Sequence, residues 1–346
     1  MTSQASRFRS IMKAIIWTKY GSPDGLELRE IPKPVPEENE ILIKVRATTI
    51  TAGDTEMRRL KLPLSLGLPF RLYVGIRKPD RIKILGQELA GEVVDIGKNV
   101  TEYKVGDRVF GVTGFGFGAH AEYICLPENP NEMQGGLALM PKNMRYAQAA
   151  AVPTAGFEAL HFLQDAKIET GQKVLVFGAG GSIGTFSVQI AKHFGAEVTA
   201  VDHTKKLAML KEIGADHVID YTQTDFTKNG QRYDVIIDVV GKPKVMRRTR
   251  SLTPNGRYYL ANPGLSHIFG GWWLSLTGGK KLIIQSAAQK REDLLKLRDL
   301  VEAGKLKTVI GRSFPLKETA EAHRYAESGE KLGNIIIIVG DTDESG

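Results

Sequence analysis

Cysteine occurs once in the 346 residues, at Cys125. A single thiol excludes an intrachain disulfide framework and any cysteine-rich zinc lobe. Histidine is also sparse, and the 7 present include no H-x3-H pair, so a histidine-led metal motif is missing as well. Uncharged stretches of membrane length do occur at Val174–Ala191 and Tyr258–Gly279, but they hold four and five glycines, and the second adds Pro263. Such stretches make poor lipid spans and read as buried strands and helices with their loops. No apolar signal core follows Arg7 and Arg9. Residues 1–11 are therefore expected to be a frayed extension ahead of Met12, and the location to be cytoplasmic.

Charge is balanced rather than blocky. Lys+Arg 47 against Asp+Glu 39 gives +8. Basic residues gather at Arg71/Arg77/Lys78/Arg81/Lys83 and at Lys242/Lys244/Arg247/Arg248/Arg250, but only Phe70 and Tyr73 accompany the first group and no aromatic the second. Without interleaved stacking aromatics these read as solvated faces, not as a nucleic-acid surface. What is abundant is glycine, 37 residues or about 11% where roughly 7% is usual. The excess belongs to turns and close backbone approaches.

The first third reads as β. Ile41, Ile43, Val45, Ala47 and Thr49 alternate with Leu42, Lys44, Arg46 and Thr48, the pattern of a half-buried strand. Short runs at Ile82–Leu85, Glu92–Ile96, Arg108–Val112 and Ala121–Leu126 point to a compact barrel-like domain. From about residue 150 strands alternate with helices. Lys173–Phe177, Glu197–Val201, His217–Ile219, Asp234–Val240, Gly256–Ala261 and Lys281–Gln285 read as strands, with a helix expected over Thr204–Ile213. This alternation predicts a doubly wound parallel sheet. Two helices (Glu292–Ala303, Leu316–Ser328) and a strand (Asn334–Val339) close the chain.

The most informative motif runs from Val174 to Gly184, between a strand and a helix. Its best register with the dinucleotide fingerprint is Ala179-x-Gly181-x-x-Gly184, with alanine at the tight turn. Gly181 lets the backbone approach a pyrophosphate, and Gly184 lets the helix pack on the sheet. The pyrophosphate would rest on the helix N-terminus. Asp202, 18 residues past Gly184, ends the next strand, where a carboxylate accepts from ribose hydroxyls. Asp202 favours NAD, whereas Lys205 and Lys206 could pair with a 2′-phosphate, so NAD and NADP both stay open.

Further segments carry a family resemblance: Gly86–Val94, Lys104–Gly111, Ala150–Leu160, Ile213–Tyr221 and Leu300–Leu306. With the glycine-rich turn they resemble the medium-chain dehydrogenase/reductase superfamily, in its zinc-free quinone oxidoreductase-like branch, from Met12 to Val339. The resemblance implies an α/β chain with a GroES-like β-barrel catalytic domain over 1–151, a Rossmann domain over 152–288, and a segment 289–346 completing the catalytic domain. Zinc alcohol dehydrogenases of this superfamily bind their catalytic metal with Cys, His and Cys. The matching positions here are Thr51, Gln87 and Ala151, and a hydroxyl, an amide and a methyl are not zinc ligands. No metal is expected. Without a Lewis acid, hydride transfer to an already electron-poor acceptor stays feasible by positioning.

The resemblance places Ala52 to Thr55 and Thr154 near the nicotinamide, and Gly181, Ser182 and Ile183 on the pyrophosphate. Asp202, Lys206 and Tyr221 fall at the adenosine end, and Val239, Leu260, Ala261 and Asn262 on the nicotinamide wall. Some relatives place a 2′-phosphate arginine at the position of Gly329. Thr51 and Asp54 are candidates for substrate contact or a helix cap, and Tyr73 for proton donation or loop packing. Phe115, Phe117, Trp272 and Trp273 could line a substrate cleft. Glu88 is expected to keep a structural ion pair, and His120 and Cys125 to pack the β domain. The expectation is a NAD(P)H-dependent, metal-free reductase of quinones, enals or enones acting on small molecules. The alternatives are a crystallin-like or RNA-associated scaffold, or a zinc-free alcohol dehydrogenase. A homodimer paired at the edge strand Lys281–Gln285 is expected.

Overall fold

The computed structural model describes residues 10–60, 64–131, 133–241, 245–261 and 279–340. Asn262, Trp272, Trp273, Lys242, Lys244 and most of the N-terminal extension lie outside them. Ile11, assigned above to that extension, already belongs to a strand: β1 (Ile11–Trp17) pairs antiparallel with β2 (Leu26–Pro32).

β3 (Glu40–Thr49) is the spine of the first lobe. The helices α1 (Ala52–Arg59) and α2 (Leu64–Val74) follow it, then β4 (Glu88–Ile96), β5 (Arg108–Val112), β6 (Tyr123–Pro127) and β7 (Gly136–Leu139). β3 pairs antiparallel with both β4 and β6. Its alternation is imperfect. Leu42, read as outward-facing, is buried like Ile43, and the β3–β4 register shifts between these two residues. A bulge there lets consecutive side chains both turn inward. The expected strand at Ile82–Leu85 does not form; this segment instead accepts backbone bonds from Trp17 N (at Lys83 O, 2.7 Å) and His120 N (at Leu85 O, 2.9 Å).

α3 (Tyr146–Ala150) and α4 (Pro153–Ala166) lead into the second lobe. There β8 (Lys173–Phe177), α5 (Ser182–His193), β9 (Glu197–Asp202), α6 (Leu207–Glu212), β10 (His217–Asp220), β11 (Tyr233–Asp238), α7 (Val245–Arg248), β12 (Leu252–Leu260) and β13 (Lys281–Ile283) follow in turn. All six strands are parallel, in the spatial order β10-β9-β8-β11-β12-β13. That is the Rossmann order, whose reversal point lies between β8 and β11. The strands are buried on both faces, so their sequences read as continuous apolar runs. The helix expected over Thr204–Ile213 begins as a 3-10 turn at Thr204–Lys206, where the His203 ring accepts from Lys205 N.

The chain then returns to the first sheet. α8 (Arg291–Glu302) packs on α4 where Gly156 faces Leu297. β14 (Ile310–Pro315), α9 (Thr319–Glu327) and β15 (Asn334–Ile338) follow, and β15 lies between β14 and β3. The first sheet thus holds strands from both ends of the chain, and the loop before β15 lies over the second lobe.

Candidate functional site

An open cavity of about 860 Å³ lies between the lobes, at the carboxyl ends of β8, β9 and β11. Open α/β sheets bind ligands at this switch point. The turn after β8 bonds to β9 through Gly178 N and Ala179 N, both donating to Val201 O. Here the structure keeps the Gly181 and Gly184 places of the fingerprint and moves only the left-handed turn. Gly178, not Ala179, takes the left-handed conformation (φ +80°), and a Cβ there would come within 2.6 Å of Val240 Cγ2. Ala179 is buried and does not line the cavity. Gly181 caps α5 and lines the cavity with Ser182 and Ile183. Gly184 sits behind them, where a Cβ would stand 2.6 Å from Ala179 Cα, so it serves the packing of helix against turn.

Asp202 lines the cavity at the end of β9 with both carboxylate oxygens engaged. Oδ2 accepts from Gly180 N (2.7 Å); Oδ1 accepts from His203 N (2.7 Å) and pairs with Lys206 Nζ (3.3 Å). The carboxylate expected to reach for ribose hydroxyls also braces the glycine-rich turn, and it stays in the cavity lining. Tyr221 is half exposed, edge-on to His203, and near Phe177, over which Arg248 stacks at 3.9 Å. Arg248 is in turn held by buried Asp238 (2.7 Å). Val239, Val240 and Ala261 complete this wall. Leu260, expected with them, points into the core of the second sheet.

The first lobe contributes Thr49 to Gly53, Glu56, Gln87 and Glu88. Thr51 and Asp54 form a capping box at the start of α1: Thr51 Oγ1 donates to Asp54 Oδ2 (2.7 Å) and accepts from Asp54 N (3.0 Å). Asp54 Oδ1 accepts from Gly86 N (3.0 Å), which leaves Asp54 a buried brace outside the lining, while Thr51 stays at the cavity wall. Ala52 lines the cavity, but Thr55 turns away and donates to Ala52 O (2.8 Å). Tyr73 stands outside the cavity, its hydroxyl donating to Phe115 O (3.0 Å), so the proton-donor role expected of it has no geometric basis here.

Glu88 departs from expectation in another way. Its side chain is buried and accepts hydrogen bonds from Thr49 Oγ1 and Thr154 N, with no ion-pair partner among the described residues. Burial pushes its carboxyl up to about 7, against the pull of those hydrogen bonds. Sequence reasoning also missed Glu158, Ser286, Gln289, Arg248 and Lys331, all in the lining. Only Glu158 falls in a segment singled out above, Ala150–Leu160, and without a role there; the lobes' packing brings all five to one wall.

The residues present suit a dinucleotide: a glycine-capped helix N-terminus, an aromatic adenosine end, and a buried carboxamide oxygen of Gln289 without a described partner. They do not suit zinc. Of the three positions the resemblance matches to metal ligands, Thr51 Oγ1 and Gln87 Oε1 lie 3.3 Å apart and Ala151 is a buried methyl. Among the described residues no three His, Cys, Asp or Glu side chains converge on a metal-sized site.

Residues 37–132 match the alcohol dehydrogenase GroES-like domain family, and residues 213–337 the zinc-binding dehydrogenase family. A 2-methylene-furan-3-one reductase of Solanum lycopersicum is 32% identical over 97% of this chain and 81% of its own length. The NADPH-dependent alkenal/one oxidoreductase, chloroplastic, of Arabidopsis thaliana is 30% identical over 94% and 79%. The solved quinone oxidoreductase of Coxiella burnetii superposes with a TM-score of 0.83 at 28% identity, covering 96% of this chain and all of that one. The chain belongs to the medium-chain dehydrogenase/reductase superfamily, in its quinone oxidoreductase-like branch. As a member of that branch it is an NAD(P)H-dependent oxidoreductase, and its cofactor is a nicotinamide dinucleotide. The zinc in the second family's description has no counterpart in this member's donor set.

Proposed function

We propose that the protein is an NADPH-dependent, zinc-independent reductase of quinones, enals or enones. The observation that carries this reading is the cleft itself, which faces a pyrophosphate-binding turn with a hydroxyl, a carboxamide and a methyl where a metal would be ligated. The names of the relatives support a reductase over the scaffold and alcohol-dehydrogenase alternatives. Bound in the cleft, the reduced nicotinamide supplies a hydride to the electron-poor carbon of the acceptor. The chain's part is positioning. The α5 N-terminus receives the pyrophosphate, and the Thr51–Gln87 wall and Thr154 hold the nicotinamide end. The proton that completes reduction enters from solvent through the open cavity.

NADPH is preferred over NADH because the carboxylate that would repel a 2′-phosphate is already neutralised. Asp202 is braced by two backbone N–H groups and offset by Lys206, Asp238 is offset by Arg248, and neighbouring Lys205 adds positive charge at that end. The protein works as a homodimer, with β13, the outer strand of the six-stranded sheet, offered to a second copy. The test is oxidation of NADPH and NADH, each with a quinone and with an enal, in chelator. Turnover favouring NADPH is expected. Turnover abolished by chelator and restored by zinc would overturn the metal-free part, and coenzyme binding without turnover on either acceptor would overturn the substrate class.

A further inference from the structure

Three cations line the described wall of the cavity: Lys206, Arg248 and Lys331. Lys206 is bound to Asp202 and Arg248 to Asp238. Lys331 makes no hydrogen bond or ion pair with any other described residue. An unpaired, half-buried ammonium is costly unless something anionic joins it.

The backbone around Lys331 says where that anion lies. Gly333, two residues on, donates from N to Gly180 O (2.8 Å), accepts at O from Ser182 Oγ (3.0 Å), and forms a bridge with Gly181. The loop before β15 is thus pinned on the glycine-rich turn. Gly333 can do this because its φ of +54° and its closeness to Val309 O leave no room for a side chain. Lys331 lines the same cavity as Gly181, Ser182 and Ile183 at the α5 N-terminus, and its loop is bonded to that turn, so its ammonium belongs to the pyrophosphate end of the site.

We infer that Lys331 is the side-chain counter-cation of the coenzyme pyrophosphate, carried across the cleft by the C-terminal loop of the catalytic lobe. The inference rests on the dinucleotide-binding reading above and deepens it. Backbone N–H groups at the α5 N-terminus supply hydrogen bonds to the phosphates, and Lys331 supplies the full charge from the loop docked on that turn. Burial lowers the Lys331 ammonium to about 8, and an anion beside it would raise it again. Because the contact joins the lobes through the ligand, coenzyme binding also clasps them together.

The test is calorimetric titration of wild type, Lys331→Gln and Lys331→Arg with NADPH, NADH and ADP-ribose, with thermal unfolding of each apoprotein as a check on folding. Lys331→Gln is expected to weaken all three ligands by a similar factor, roughly tenfold or more, and Lys331→Arg to recover most of the loss. Wild-type affinity is expected to fall as pH rises through about 8, with the Arg variant flatter; Glu88, Asp54 and Lys206 are the charged groups facing Lys331. A loss confined to NADPH would overturn the assignment in favour of the 2′-phosphate, and unchanged affinities would overturn it outright. Either result leaves the reductase reading intact. Wild-type protein that binds no dinucleotide would overturn both.

Discussion

Replacing Glu88 with glutamine tests the electrostatics of the cleft floor directly. Glu88 is buried, and its carboxyl is raised from 4.5 to about 7, chiefly by desolvation. A carboxyl whose folded pKa lies above its unfolded one keeps its proton longer in the fold. Its stabilising contribution is therefore complete below about 4.5 and is lost as pH rises through about 7. Carried through the linkage relation, ionised Glu88 costs the fold about 3 kcal/mol at pH 8 but under about 1 kcal/mol at pH 5. Glutamine carries no such charge and keeps both contacts: its Oε1 accepts from Thr154 N, and its Nε2 donates to Thr49 Oγ1, which turns acceptor. The advantage of Glu88→Gln over wild type is thus expected to grow by about 2 kcal/mol between pH 5 and pH 8. Urea unfolding of the apoproteins at the two pH values measures it. An advantage independent of pH, or wild type the more stable at pH 8, would refute the argument. The nearby charges Asp54 and Lys331 pull in opposite directions and are unchanged by the substitution.

Gly184→Ala drives a methyl against Gly178 O and Ala179 Cα at 2.5 and 2.6 Å, both backbone. It is expected to cost about 1–3 kcal/mol in denaturant unfolding and to weaken NADPH binding; a neutral effect on both would mean the turn is not packed as described. Tyr73→Phe is expected to leave kcat unchanged. A fall of about a hundredfold, as for a lost general acid, would return Tyr73 to the chemistry. Lys206→Gln is expected to raise the KM for NADPH roughly tenfold with a smaller change for NADH, and equal changes would contradict the place proposed for it beside a 2′-phosphate. Protein dialysed against chelator is expected to keep its turnover and to contain zinc well below one atom per chain by elemental analysis.

Much of this molecule was legible because its signals are local. The strand–turn–helix at Val174–His193 declares a dinucleotide turn through apolar period and glycine spacing. The absence of ligand types at Thr51, Gln87 and Ala151 is plain from chemistry alone. Local signals also misled where a neighbour decided the outcome. Spacing placed the tight turn at Ala179, but the left-handed residue is Gly178, where Val239 and Val240 also leave no room for a Cβ. Asp202 read only as a ribose acceptor, and its bracing of the turn through Gly180, His203 and Lys206 carried no signal in the sequence. Glu88 looked like half of an ion pair, yet it lies desolvated between two hydrogen-bond donors.

The sequence by itself determined the fold class, the cofactor class and the unsuitability of the metal position, since these depend on residue type and on periodicity within a few turns of chain. Tertiary structure alone decided which polar groups remain free to meet a ligand. Lys331, in a loop about 150 residues beyond the glycine-rich turn, carries no motif; it reaches the cleft because β15 inserts beside β3 and Gly333 docks on Gly180. Whether a buried charge is spent on the protein or left for a ligand depends on every partner within a few ångströms, and folding alone chooses those partners.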